Sequence, residues 1–143
     1  MASRLVRDVV KDHKLAALPP GASVREAAHL MAQRKIGSVV VTEGDRLVGI
    51  FTERDIVNRI VDPGRDPDRT VLKDVMTRDP RTVDPDTAAL EALRLMDDGH
   101  YRHLPVMKDG RLVGVVSRRD FFGEEQAAIE QQAQARDALW ERV

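Results

Sequence analysis

The chain contains an internal repeat, and this repeat is the feature that most restricts how it can fold. Adding 65 to a residue number in the first half gives its counterpart in the second half, and this one offset holds without a gap from residue 20 to residue 55. Residues 46–49 read RLVG and return at 111–114, and the Arg-Asp pair at 54–55 returns at 119–120. Agreement over such a length indicates duplication, so we expect two related copies of one structural unit.

Each copy has the same order of predicted elements. A short helical lead-in precedes an extended piece that ends at a proline, and apolar residues at i, i+3, i+4 and i+7 then predict a helix. Two apolar strands follow, and a final helix is predicted to begin at Glu53 or Arg118. Each copy is therefore a β-α-β-β-α unit, and the fold class is α+β. The lead-ins, extended pieces and strands are residues 5–10, 15–20, 39–42 and 47–52 in the first copy, and 71–76, 81–85, 104–108 and 112–117 in the second.

Two further segments complete the chain. The copies are joined by VDPGRDPDRT, whose Pro, Gly and Asp residues predict a loop. The C-terminal segment is rich in Ala, Gln, Glu and Arg and predicts a helix. Its thin apolar stripe consists of Ile129, Ala133, Leu139, Trp140 and Val143. Because such a helix buries little surface, it either docks on a partner subunit or the module's own edge, or remains a solvated tail. The predicted bounds are 1–62 for the first copy, 63–70 for the linker, 71–123 for the second copy and 124–143 for the C-terminal segment.

Composition excludes several classes of function. The chain has no cysteine, which excludes disulfides, thiolate nucleophiles and cysteine metal sites. The net charge is −1 and the aromatic content is 3%, so neither DNA nor a membrane is expected as a partner. No segment approaches the roughly 20 apolar residues of a membrane helix. The start lacks the apolar region of a secretory signal, so we expect a cytoplasmic protein.

One short motif occurs in both copies where a strand passes into a helix. Residues 49–55 read GIFTERD and residues 114–120 read GVVSRRD, with a hydroxyl residue three positions before an aspartate. A helix cap alone would explain this pair, since Ser and Thr favour the N-cap and an acid favours the first turn. The duplication, the free N–H groups of a helix start and the arginine before each aspartate favour a ribose phosphate ligand.

The repeat, this motif and the LPV strand at residues 104–106 resemble a tandem pair of cystathionine-β-synthase-type (CBS) domains over residues 5–122. The resemblance implies two units packed about a pseudo-twofold axis, with clefts that bind adenosyl ligands such as AMP, ADP, ATP, NAD(H) or S-adenosylmethionine. It also implies a homodimer without a catalytic cofactor, which senses energy or redox state and regulates a separate protein in trans.

The resemblance assigns residues to two clefts of unequal strength. The aspartates take the ribose position, and the extended lead-ins contact adenine through backbone groups. The second copy has His103 where the first has Ser38, and an acid at Glu53 is unfavourable near phosphate. The stronger cleft is assigned Arg81, Thr82, Val83, Arg102, His103, Leu104, Pro105, Ser117, Arg119 and Asp120. The weaker cleft is assigned Leu15, Ala16, Ser38, Val39, Thr52, Arg54 and Asp55.

Two other functions fit the sequence less well. A structural dimerisation or protein-interaction module with vestigial clefts is the alternative to a nucleotide sensor. An enzyme acting on nucleotides would need a general base or a metal cluster. His100 and His103 are too few for a metal site, and Ser117 lacks the G-x-S-x-G elbow of hydrolases. We therefore expect no catalysis and no metal.

Overall fold

The computed structural model describes residues 4–10 and 15–141, with side chains up to residue 139. The predicted class is confirmed: the fold is mixed α+β, with two copies of one unit and a C-terminal helix. In the first copy the elements are α1 (Val6–Val9), β1 (Ala17–Leu18), α2 (Val24–Arg34), β2 (Ser38–Glu43), β3 (Arg46–Thr52), α3 (Glu53–Asp55) and a π-helical turn (Ile56–Val61). The second copy and the C-terminal helix comprise α4 (Leu72–Val75), β4 (Thr77–Arg78), α5 (Ala89–Gly99), β5 (His103–Lys108), β6 (Arg111–Ser117), a 3-10 turn (Arg118–Asp120) and α6 (Gly123–Glu141).

The chain forms two compact units, and each unit combines the body of one copy with the lead-in of the other. The first-copy unit contains residues 14–81 and 109–112, and the second-copy unit contains residues 1–13, 82–108 and 113–143. Helix α4 therefore packs with the first copy and helix α1 with the second. The bounds 1–62 and 71–123 follow the repeat in the sequence, whereas the compact units exchange the lead-ins.

The first-copy unit is built on a four-stranded sheet in the order β1-β2-β3-β4. Strand β1 is parallel to β2, and the other neighbouring pairs are antiparallel. Helix α2 begins where the Ser23 hydroxyl accepts the Glu26 N–H at 3.1 Å. Phe51 of β3 and Leu72 of α4 are fully buried in one core, so the exchanged lead-in completes the interior of this unit.

The second-copy unit is built on the β5–β6 hairpin. Asp109 and Gly110 have φ values of 51° and 77° at its turn, as a type I′ turn requires. A parallel bridge from Val83 to Val106 extends the hairpin. The first lead-in is bonded to the start of α5, since the Val6 N–H donates to the Thr87 carbonyl at 2.8 Å. Val6 is fully buried in the core of this unit.

The end of the second copy contains both predicted helices, but the first of them is short. The helix that begins at Arg118 is a 3-10 helix that ends at Asp120, because Phe121 is extended at φ −89° and ψ 151° and is 4% exposed. The chain then forms α6, which packs against α5 on the module's own edge and buries Ile129. Residues 134–139 are exposed. Trp140 and Val143, two members of the predicted apolar stripe, lie outside the described side chains.

A glycine that is repeated in both copies makes room for each exchanged lead-in. A Cβ on Gly49 would lie 2.9 Å from the Thr77 carbonyl oxygen and 2.5 Å from the Met76 sulfur. A Cβ on Gly114 would meet a γ-methyl of Val10 at 2.8 Å. Val10 and Met76 correspond in the two lead-ins, so the two glycines have the same role.

The two glycines give a matched pair of variants. We expect Gly49→Ala to lower the free energy of unfolding by about 1–3 kcal/mol, because backbone at Thr77 must move. Gly114→Ala should cost less, since a side chain can give way more easily than backbone. Urea unfolding of both variants measures this difference, and a larger loss for Gly114→Ala would contradict the packing described.

Candidate functional site

In the first copy, the segments assigned to the weaker cleft meet at one edge of the sheet. The Ala16 carbonyl accepts the Val40 N–H at 3.0 Å, which places Leu15 and Ala16 at the start of β1 beside the start of β2. Ser38 lies opposite Thr52 in the antiparallel register of β2 and β3. The beginnings of β1 and β2 and the end of β3 therefore lie together.

The second copy gathers its assigned segments in the same way. The Val83 N–H donates to the Pro105 carbonyl at 3.0 Å, and the Arg118 N–H donates to the Arg102 carbonyl at 2.8 Å. The counterpart of the second bond, between residues 53 and 37, measures 3.0 Å in the first copy. Arg81 is the exception among the residues assigned to the stronger cleft. It belongs to the first-copy unit, whereas the second-copy unit resumes at residue 82.

Each aspartate of the repeated motif is bonded to the hydroxyl residue three positions earlier. Asp120 Oδ2 accepts the Ser117 N–H at 2.8 Å. Asp55 Oδ2 accepts the Thr52 N–H at 2.9 Å and the Thr52 hydroxyl at 3.1 Å. The motif thus caps a short turn in both copies, as expected for a helix cap. A carboxylate has about four acceptor positions on two oxygens, so capping through one oxygen is compatible with ligand binding through the other.

The surroundings of the two aspartates differ in charge. Arg59, one turn after Asp55, places Nε 3.6 Å from Asp55 Oδ1, and its Nη1 donates to the Val75 carbonyl at 2.6 Å. The residue at the corresponding position after Asp120 is Glu124, which has the opposite charge. Arg59 is absent from the sequence prediction, although its i+4 spacing from Asp55 on a helix already indicated the pair.

The assigned residues differ in how far their side chains are buried, and therefore in which of their atoms a ligand could contact. Val39 and Leu104 are fully buried, and Ala16, Ser38 and Val83 are at most 7% exposed. Such residues can contact a ligand mainly through backbone atoms. The half-buried residues are Thr52, Asp55, His103, Ser117 and Asp120. The exposed residues are Leu15, Arg54, Arg81, Thr82, Arg102 and Arg119, and Pro105 is buried.

Beyond the assigned residues, the described part of the chain contains one further depression of note. A depression of about 290 Å³ in the first-copy unit is lined by Leu15, Ala17, Thr42, Gly44, Asp45, Arg111 and Leu112, and shares only Leu15 with the assigned residues. No cluster of three or more His, Asp or Glu in the described part of the chain is arranged to hold a metal ion. Within the same residues, no helix is long and apolar enough to span a membrane.

Comparison with known sequences identifies relatives of the chain. A family model for the CBS domain matches residues 6–62 and 72–126. A CBS domain-containing protein of Arabidopsis thaliana is 34% identical over 127 residues, which are 88% of this chain and 23% of that protein. An uncharacterized protein of Methanopyrus kandleri is 38% identical over 124 residues, 85% of this chain and 63% of that protein. The chain thus spans less than two thirds of the length of either relative.

Comparison with solved structures also finds a CBS domain protein among those similar to this chain. A CBS domain protein of Pyrobaculum aerophilum, solved in complex with AMP, has a TM-score of 0.78 and 29% identity to this chain, covering 89% of it and 98% of that protein. The two matches of the family model fall on the two copies of the repeat. The chain therefore belongs to the CBS domain family and contains two CBS domains in tandem.

Proposed function

We propose that the chain is a non-catalytic regulatory module that binds an adenine nucleotide at the edge of the second-copy unit and acts on a separate protein. The observation that supports this most is the meeting of three chemical groups at that edge. Asp120 is a carboxylate acceptor, Ser117 supplies a hydroxyl, and Arg102, His103 and Arg119 supply cationic or hydrogen-bonding side chains. Together these groups match a ribose and its phosphates.

In the proposed complex, each part of the nucleotide meets a different segment. The ribose hydroxyls donate to Asp120 Oδ1, because Oδ2 accepts the Ser117 N–H. The arginines meet phosphate oxygens through paired N–H groups. Both backbone groups of Val83 are used in the sheet, since its N–H donates to Pro105 and its carbonyl accepts from Met107. Backbone contact with adenine therefore falls mainly to Thr82.

The Asp55 site is proposed as the weaker of the two. Arg59 lies against the second oxygen of Asp55, so a ribose there competes with an existing ion pair. Glu53 also places an acid in the first turn, where the second copy has Arg118. In the second copy the residue equivalent to Arg59 is Glu124, which cannot form an ion pair with Asp120 because both are acidic. The two sites are therefore related in backbone and different in charge.

Adenine nucleotide is proposed as the ligand class because the relative from Pyrobaculum aerophilum was solved with AMP. The proposal extends to AMP, ATP or NAD(H), to a homodimer, and to an unidentified protein target in trans. Val57 and Val61, one turn apart and 59% and 68% exposed, favour association with a second copy. The alternative remains a structural interaction module with vestigial clefts.

A thermal-shift series on the wild-type chain tests the proposal. We expect the melting temperature to rise with at least one of AMP, ATP, NADH and S-adenosylmethionine, because a ligand that binds only the folded state stabilises it. GMP is the matched control, since it keeps the ribose phosphate and changes the base. An unchanged melting temperature with every adenine ligand at millimolar concentration would favour the structural module instead.

A further inference from the structure

The C-terminal helix α6 packs on α5 and is joined to it by polar contacts, Arg94 to Gln132 at 3.1 Å and Arg136 to Asp98 at 3.6 Å, but it buries little apolar surface. Of its described side chains, Ile129 is the one that is buried, at 2% exposure, and residues 134–139 are exposed. Its polar contacts therefore decide much of how firmly it is held. Elements with little buried apolar surface open at low free energy, so α6 is suited to move.

The first polar anchor of α6 is made by the N-terminal segment. The Arg4 guanidinium donates to Glu125 Oε1 at 2.6 Å and to Oε2 at 3.2 Å, and lies 3.6 Å from the centre of the Phe122 ring. The hydrogen bond from Arg4 holds the pKa of Glu125 below its ordinary value, although partial burial opposes the shift. This anchor fixes the start of α6.

The second anchor comes from the candidate nucleotide site itself. Arg118 Nη2 lies 3.8 Å from Glu130 Oε1 on the second turn of α6. The Arg118 side chain is 17% exposed, whereas that of Glu130 is 63% exposed. Arg118 begins the turn that contains Arg119 and Asp120. One guanidinium therefore contacts α6 and also stands in the first turn of the proposed phosphate site.

We propose that Glu130 and the nucleotide phosphate compete for Arg118, so that nucleotide binding loosens α6 from the second-copy unit. This inference rests on the proposed function and adds its conformational output. A guanidinium donates its N–H groups to a carboxylate or to a phosphate, but not to both along the same edge. The phosphate bears more negative charge, and the largely exposed Glu130 can return to water.

The local backbone allows such a movement. In the first copy, α3 continues directly into the π-helical turn, so the motif and its helix form one piece. In the second copy, Phe121 is extended and buried between the 3-10 turn and α6. Phe121 therefore holds the site in place while α6 pivots after it. Because coupling free energies are reciprocal, loosening α6 should in turn strengthen nucleotide binding.

Calorimetric titration with ATP tests the competition. Glu130→Gln removes the competing charge and should tighten ATP binding roughly two- to fivefold, the range expected for a partly exposed ion pair. Glu124→Gln is the matched control, because it removes the same charge from α6 closer along the chain to Asp120. If charge alone mattered, Glu124→Gln would give at least as large a gain. Equal ATP affinity for wild type and Glu130→Gln would overturn the competition.

Hydrogen exchange of the amides in residues 124–133 tests the movement. With saturating ATP, these amides should exchange faster in the wild type. In Glu130→Gln they should already exchange faster without ATP, and ATP should add little. Unchanged or slower exchange in ATP-bound wild type would overturn the inference while leaving nucleotide binding intact. If no adenine nucleotide binds to the wild type or to Glu130→Gln, the proposed function fails and this inference fails with it.

Discussion

Asp120→Asn is expected to weaken adenine nucleotide binding by roughly 10- to 100-fold, which corresponds to losing a hydrogen bond to a charged group. The asparagine oxygen can still accept the Ser117 N–H, which Asp120 Oδ2 accepts at 2.8 Å, so the local turn is kept. What is lost is the charged second oxygen to which the ribose hydroxyls donate. Titration calorimetry with the ligand found in the thermal-shift series measures the change.

Asp55→Asn is the matched control for Asp120→Asn. It makes the same change at the equivalent residue, where Arg59 already lies 3.6 Å from Oδ1. We expect it to change the affinity of the stronger site by less than about threefold. The melting temperature of both variants without ligand should stay close to that of the wild type. Loss of binding in Asp55→Asn alone would reverse the ranking of the two sites.

The strands of the two hairpins were predictable because their pattern is local, whereas β4 (Thr77–Arg78) was not predicted. Strands predicted at 39–42 and 47–52 are found at Ser38–Glu43 and Arg46–Thr52, and the second copy agrees equally well. Continuous apolar runs separated by Gly44 or by Asp109-Gly110 specify a hairpin without reference to the rest of the chain. The repeated motif was placed at the end of a strand for the same local reason.

The partner of each lead-in was not predictable, because a helix of four residues does not specify the surface on which it packs. Val6 and Leu72 indicate buried positions, but either copy offers an apolar surface. The repeated glycines at 49 and 114 contained the missing information, since each is small where the other copy's lead-in arrives. The role of these two glycines becomes clear only from their contacts with the lead-ins in the structure.

The helix predicted at Arg118 begins there, but its length and 3-10 form were not predicted. Both copies contain the same cap, and local propensity treats them alike. Phe121 is extended and buried in the second-copy core, and the 3-10 helix ends just before it. The charge contrast between the sites was only partly predicted: Glu53 was recognised, whereas Arg59 and its contact with Asp55 were not.

Leu72→Ala is expected to lower the free energy of unfolding by about 2–5 kcal/mol, the cost of truncating a fully buried leucine. Leu72 belongs to the second copy by sequence, yet it is 0% exposed within the core of the first-copy unit. Its N–H also donates to the Ala22 carbonyl at 2.9 Å. Chemical denaturation measures the loss, and hydrogen exchange locates it. Amides of β2 and β3 should lose protection before those of β5.

Val6→Ala provides the reciprocal control, because Val6 corresponds to Leu72 in the other lead-in and is equally buried. It belongs to the first copy by sequence and packs in the second-copy unit. Its loss of protection should therefore fall first on β5 and α5. The two variants together produce a crossed pattern, in which each lead-in supports the body of the other copy. If each variant instead loosened the strands of its own copy, the exchange of lead-ins would be contradicted.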